Sequence, residues 1–230
     1  MRHLGTVEMA SKIRAILFDL DGTLLDSAPD LVGALNWLRA GEGLPALPVD
    51  GMARHVSRGA KGLLQAGMPQ ADKQQFENWR SLFLARYAEN SFEHSMLYPG
   101  VPELLDFLGR SAIPWGIVTN KFEALTLPIL RAAGLSDSVS CVVCGDTLER
   151  HKPDPAPVRL ACELLKIPVE ATLFGGDDVR DLQAGRAAGT MTAAIHYGYG
   201  SHELNDTVIC GSAQVHHPSD FIKLVLASDS

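Results

Sequence analysis

The chain has 230 residues, with 20 basic against 27 acidic side chains and a formal net charge of −7. At 46% hydrophobic and 20% charged residues it is too apolar for a disordered chain, and an acidic balance with no basic block argues against nucleic acid as a partner. No apolar run is long enough to span a membrane, and residues 1–12 lack the apolar centre of a signal peptide, so the chain reads as cytoplasmic with 1–12 as an N-terminal extension and its start at Met1 or Met9.

Ala15-Ile16-Leu17-Phe18 is an apolar run of strand length that ends in Asp19-Leu20-Asp21-Gly22-Thr23. Helical patterns follow. Leu31, Ala34, Leu35 and Leu38 share one face, with Pro29 suited to the first turn and Asp30 placed where an acid favours the helix dipole. Gly41 to Gly51 reads as a loop. Phe76, Trp79, Phe83 and Tyr87 make a second stripe, expected to face a core. No convincing strand occurs between Ala28 and about Met96. An all-helical stretch of roughly 70 residues is too long for a plain connection. Residues 28–96 are therefore expected to form a second, helical domain, inserted into a core made of 13–27 and 97–230.

Beyond the insert, strands and helices alternate. Val101, Leu104, Leu105 and Leu108 have helical spacing, and Trp115 to Thr119 is a strand. Glu123 to Ala133 is helical despite Pro128, and Cys141 to Cys144 is a third strand. Val158, Ala161, Cys162 and Leu165 mark the next helix, and Thr172 to Gly175 the next strand. Arg180 to Ala188 is a helix stopped by Gly189, and Thr192 to Ile195 is a fifth strand. This alternation predicts an α/β fold with a Rossmann-like, doubly wound parallel sheet. Cys141 and Cys144 form a C-x-x-C, but residues three apart on a strand point to opposite faces, and no second such pair completes a zinc site. Buried, reduced thiols are expected.

The acids fall at strand ends. Asp19 and Asp21 follow the first strand; Asp177 and Asp178, with Asp181 beyond, follow the fourth. The carboxyl edge of such a sheet is where ligands bind. Carboxylates gathered there would repel and protonate unless a hard divalent cation compensates them, and Mg²⁺ suits a few carboxylates plus a substrate phosphate. The second strand ends in Thr119-Asn120-Lys121, and His151-Lys152-Pro153 follows the third; hydroxyl, amide and ammonium groups are what phosphate oxygens require. In the insert, Ser57-Arg58-Gly59-Ala60-Lys61-Gly62 offers Arg58 or Lys61 to the anionic or polar end of a substrate. His216-His217 reads as a surface pair, and His151 and His196 stand near strand ends.

Asp19-Leu20-Asp21-Gly22-Thr23-Leu24-Leu25-Asp26-Ser27, Thr119-Asn120, Lys152-Pro153 and Gly176-Asp177 to Asp181 resemble, in order, the four motifs of the haloacid dehalogenase superfamily. The insert resembles the helical cap of its phosphoglycolate phosphatase-like branch. Gly176 to Asp181, Gly185-Arg186 and Tyr197-Gly198-Tyr199 are similar to the bacterial N-acetylmuramic acid 6-phosphate phosphatases. The resemblance implies a phosphatase acting on a small phosphorylated metabolite, 2-phosphoglycolate by branch, with N-acetylmuramic acid 6-phosphate or another sugar phosphate as the alternative; a sugar-phosphate mutase shares the acid pair. It implies Asp19 as nucleophile and Asp21 as general acid and base. Mg²⁺ would bind the Asp19 and Asp177 side chains and the Asp21 carbonyl, with Asp181 behind them and Asp178 either behind them or a surface acid. Thr119, Asn120 and Lys152 would hold the phosphoryl group. Monomer and homodimer both fit. A catalytically dead binding module would be missing a motif acid, and none is missing.

Overall fold

The computed structural model describes residues 12–228. Both candidate starts, and all of the N-terminal extension except Lys12, lie outside the described residues. The chain enters through β1 (Ala15–Phe18), makes an acidic turn and runs through β2 (Leu25–Asp26). Four helices follow: α1 (Ala28–Gly41), α2 (Val49–Ala53), α3 (Gly59–Gly67) and α4 (Lys73–Glu89), with a short 3-10 turn at Val56–Arg58. The chain returns through β3 (Met96–Leu97). It then alternates through α5 (Val101–Arg110), β4 (Trp115–Val118), α6 (Glu123–Ala132), β5 (Cys141–Val143), α7 (Ala156–Leu165), β6 (Thr172–Gly176), α8 (Val179–Ala188) and β7 (Met191–Ile195). It closes with α9 (Asp206–Ile209), β8 (Ala213–Val215) and α10 (Ser219–Ser228).

Six strands form one parallel sheet in the order β5-β4-β1-β6-β7-β8. Both faces are covered, which is why these strands read as unbroken apolar runs. Leu17, Val143, Phe174 and Val158 pack on the side of α7 and α8. Ile16, Phe18, Ile117 and Phe221 pack on the other, where the Phe18 ring meets Phe221 edge-on at 5.1 Å. The chain leaves β1 in one direction to β4 and β5 and in the other to β6 and β7, so a crevice opens at the carboxyl end of β1. The α/β class and the parallel sheet agree with the sequence reading.

Three strands escaped that reading. β8 adds a sixth core strand. β2 and β3 pair antiparallel, with Asp26 opposite Met96, as a ribbon at the two ends of the helical insert. Met96 thus belongs to the returning strand. Within the insert, α1 lies against α4, and Trp79, Phe83 and Tyr87 are buried. Pro128 sits inside α6, but it and Ala124 are exposed, so water can serve the carbonyl that lacks its helical donor. Cys141, Cys144 and Cys162 are buried free thiols; burial pushes Cys141 up to about 12 and Cys144 up to about 11. The burial of Cys141 and Cys144 agrees with a structural reading of the C-x-x-C. No helix among the described residues is long and apolar enough to cross a membrane.

Asp30 has a larger role than its helix position suggests. Its carboxylate accepts hydrogen bonds from the main-chain N–H groups of Glu93, His94 and Ser95 at 3.1, 2.8 and 2.9 Å, and from the Ser95 hydroxyl at 2.5 Å. It therefore pins the segment that returns from α4 to the core. Replacing Asp30 with Ala strands these donors and is expected to lower stability by about 2–3 kcal/mol. A lower urea midpoint at unchanged slope checks this.

Candidate active site

Strand register sets the level of the site. Phe18 lies opposite Ile117 on β4 and Gly175 on β6, so Asp19, Thr119 and Asp177 emerge together at the carboxyl edge. The Asp19 N–H donates to the Gly175 carbonyl at 3.0 Å, and the Thr119 N–H to Val143 at 2.9 Å. Gly22 has φ +85°, and a Cβ there would overlap the Asp177 carboxylate. A Cβ on Gly198 would overlap the Gly22 carbonyl. These two glycines let the Asp19–Thr23 turn and the Tyr197–Gly200 loop close on Asp177 from both sides. Asp177 accepts from the Gly200 N–H at 2.7 Å and the Thr23 hydroxyl at 3.1 Å.

Asp19, Asp177 and Asp181 are all buried, and each offers a carboxylate oxygen within 4.8 Å of the others. One cation answers two of them. Lys152 Nζ lies 2.8 Å from Asp19 Oδ1, 2.7 Å from Asp181 Oδ1 and 2.7 Å from the Val118 carbonyl, which accounts for its three protons. Burial opposes the charge on Lys152, but Asp181 and Asp19 outweigh it and raise its pKa. Asp177 has only neutral donors. Burial first, then the charges of Asp19 and Asp181, push its carboxyl well above the usual range. An uncompensated buried carboxylate beside a second one fits a hard divalent cation. Asp181 is the poorer ligand candidate. One of its oxygens takes Lys152, and the other accepts the Asp178 N–H at 3.0 Å to close a capping box on α8.

Asp178 caps α8 and forms an ion pair with Arg180. Burial alone would raise its pKa, but the Arg180 guanidinium holds it below the usual range. Arg180 also donates to the main-chain carbonyl of Ser57 in the insert. Asp21 turns away from the three buried acids. Its Oδ1 accepts from the Ser27 hydroxyl at 2.6 Å, and both its oxygens accept from Lys121 Nζ, at 2.9 and 3.1 Å. Tyr199 OH stands 2.9 Å behind Ser27. Asn120 clamps the main chain of Lys152, donating to its carbonyl at 2.9 Å and accepting from its N–H at 3.0 Å.

These groups floor a cavity of about 420 Å³. Leu31, Val56, Phe83, Leu84 and Tyr87 of the insert wall it together with Phe122 and Leu125. Arg58, Lys61, Arg80 and Arg180 are further lining residues. Arg58 is largely exposed, and its guanidinium pairs with Glu203 at 2.7 Å, so it is a partnered cation joining insert to core.

Over its length the chain is similar to known proteins. The model of the haloacid dehalogenase-like hydrolases matches residues 13–189. The chain belongs to that family. An N-acetylmuramic acid 6-phosphate phosphatase from Pseudomonas aeruginosa is 40% identical over 215 residues, covering 93% of this chain and 95% of its own. A phosphoglycolate phosphatase from Chromobacterium violaceum is 38% identical over 192 residues, covering 81% and 86%. A crystal structure from Haemophilus somnus, described as a predicted phosphoglycolate phosphatase, superposes with a TM-score of 0.82 at 28% identity, covering 94% of this chain and 99% of that one. This haloacid dehalogenase-like hydrolase is a phosphatase, a phosphoric monoester hydrolase.

In this hydrolase Asp19, Asp21, Thr119, Asn120, Lys152, Arg58, Asp177, Asp178 and Asp181 all line the one cavity. His151 lines it too, whereas His196 bonds Gln214 and stacks on His216 at 4.5 Å. Three residues were missed or misread. Lys121 was given no role of its own at the end of the second strand and pairs with Asp21. Tyr87 looked like plain core and meets Lys121 in the cavity wall. Arg180 looked like one more helical residue and touches the insert. Lys121 stood in the run Thr119-Asn120-Lys121, Tyr87 on the 76–87 stripe and Arg180 in the 176–181 stretch, but none of these patterns marks the contact each one makes.

Proposed function

We propose that this phosphatase hydrolyses N-acetylmuramic acid 6-phosphate through an aspartyl-phosphate on Asp19, with Mg²⁺ as cofactor, in the cytoplasm. The observation that carries the substrate is the match to an N-acetylmuramic acid 6-phosphate phosphatase across 93% of the chain, against 81% for a phosphoglycolate phosphatase. The cavity supports it, because about 420 Å³ lies within the span of pockets that enclose a sugar-sized ligand. Its apolar wall suits acetyl and lactyl methyl groups, and Lys61 suits the lactyl carboxylate, with Arg58 beside it sharing its guanidinium with Glu203. In this reading residues 28–96 act as a cap over a core of 13–27 and 97–230.

Asp19 attacks phosphorus while Thr119, Asn120 and Lys152 would hold the phosphoryl oxygens, Lys152 with the proton it otherwise gives Asp19 and Asn120 with the amide proton that the Lys152 carbonyl does not take. Asp21 gives a proton to the departing sugar oxygen. It then takes one from the water that opens the aspartyl-phosphate, which releases phosphate and restores Asp19. Asp19, Asp177 and the Asp21 carbonyl would hold Mg²⁺, with Asp178 and Asp181 behind them. Its positive charge would offset the repulsion between carboxylate and phosphate.

Turnover with Mg²⁺ across a panel of phosphomonoesters tests the reading. N-acetylmuramic acid 6-phosphate is expected to exceed N-acetylglucosamine 6-phosphate, which lacks the lactyl group, by at least about tenfold in kcat/KM. The second reading rests on the 38% identical phosphoglycolate phosphatase. A lead for 2-phosphoglycolate would overturn the sugar assignment and leave the chemistry standing.

A further inference from the structure

Of the two core lysines at the site, only one reaches the insert. Lys152 is bound to Asp19, Asp181 and the Val118 carbonyl, all in the core. Lys121, just beyond β4, donates to both Asp21 oxygens and to the Tyr87 hydroxyl at 2.7 Å. Tyr87 lies in the last turns of α4, is 1% exposed, and stacks on Phe83 with ring centroids 6.5 Å apart. Its position is therefore set by the packing of the insert. Its ring also faces the ammonium, with Nζ 4.7 Å from the centroid.

Ser27 grips only Oδ1 of Asp21, which alone would let the carboxylate pivot about that bond. Lys121 grips both oxygens and so fixes the plane. A lysine stem is long and flexible, and it holds a direction only when its remaining protons are also engaged. Tyr87 supplies that engagement.

We propose that Lys121 is a positioning residue for Asp21, and that Tyr87 makes this positioning depend on the seating of the insert over the cavity. The proposal rests on the reading of Asp21 as proton donor and acceptor. The grip on both oxygens is that of the carboxylate, the form that takes a proton from water; as the acid, Asp21 keeps one oxygen on Lys121 and carries its proton on the other, toward the leaving oxygen. With the insert lifted, Lys121 loses the phenol and Asp21 loses its fixed plane. Proton transfer is then restricted to the closed, water-poor arrangement.

A leaving-group comparison tests this. The substrates are N-acetylmuramic acid 6-phosphate, or 2-phosphoglycolate if that is preferred, and p-nitrophenyl phosphate, whose nitrophenolate departs without a proton. Tyr87→Phe is expected to lower kcat on the alkyl phosphate about tenfold, and Lys121→Met about a hundredfold or more, with KM within about twofold. The first-turnover release of nitrophenolate should stay within about threefold of wild type, because only the later water attack needs Asp21. An equal fall in that first turnover would overturn the proposal, since Lys121 would then serve the nucleophile or the fold. A change confined to KM would also overturn it, since Tyr87 would then be a wall contact alone. Should Lys121→Met fail to fold, Tyr87→Phe decides by itself, because it removes one hydroxyl from an unchanged ring. Asp21→Asn on the same pair of substrates reads the underlying assignment separately: unaffected turnover of the alkyl phosphate would sink the role of Asp21 itself.

Discussion

Asp19→Asn is expected to cut turnover of every phosphomonoester by at least about 10⁴-fold, because an amide cannot form the aspartyl-phosphate. The fold should survive. Asn is isosteric and keeps an oxygen for Lys152, whose bonds to Asp181 and the Val118 carbonyl are untouched. Removing one of three clustered carboxylates also relieves repulsion on Asp177. Steady-state rates, a thermal melt and an acid-quenched search for the phosphoryl adduct check the three parts together. Retention of even a tenth of the turnover would mean that another group attacks phosphorus.

Lys152→Met should be the most destabilising single change at the site. The ammonium is 3% exposed and compensates two carboxylates that are themselves buried. Methionine fills much of the same space but leaves Asp19 and Asp181 without a counter-charge and the Val118 carbonyl without a donor. Breaking a buried ion pair from one side costs about 3–5 kcal/mol. Because the cost is stranded charge, Asp181→Asn in the same chain should recover part of it. A double-mutant cycle in urea measures that coupling. If the two losses simply add, Lys152 acts through packing and not through charge.

The carboxyl edge of the sheet was legible because its chemistry is local. Asp19 directly follows four buried apolar residues with Asp21 two positions on, and Asp177 follows five buried residues of β6, so each acid looks costly unless something answers it. The α/β class was legible for a similar reason, since parallel strands covered on both faces show as short apolar runs. What joins the insert to that edge was not. Lys121 meets Asp21 across 100 positions, and Arg180 meets Ser57 across 123, and no periodicity marks either pair. Tyr87 lies on an apolar stripe, which predicts burial but not that its hydroxyl faces the cavity. β2 and β3 are two residues each, too short to carry an alternation.

The ribbon of β2 and β3 brings the two ends of the insert together, Asp26 beside Met96. Between those neighbouring points the polypeptide leaves and rejoins the sheet without displacing any strand of it. A segment anchored in this way can lengthen, shorten or be exchanged for another during evolution, with two adjacent splice points and no change to β1, β4 or β6. Selection can then rework what the enclosed space accepts while the acids and Lys152 stay in register. The exception is the pairing of Tyr87 with Lys121: a replacement segment would have to bring its own partner for that ammonium, or leave Asp21 to find a different hold.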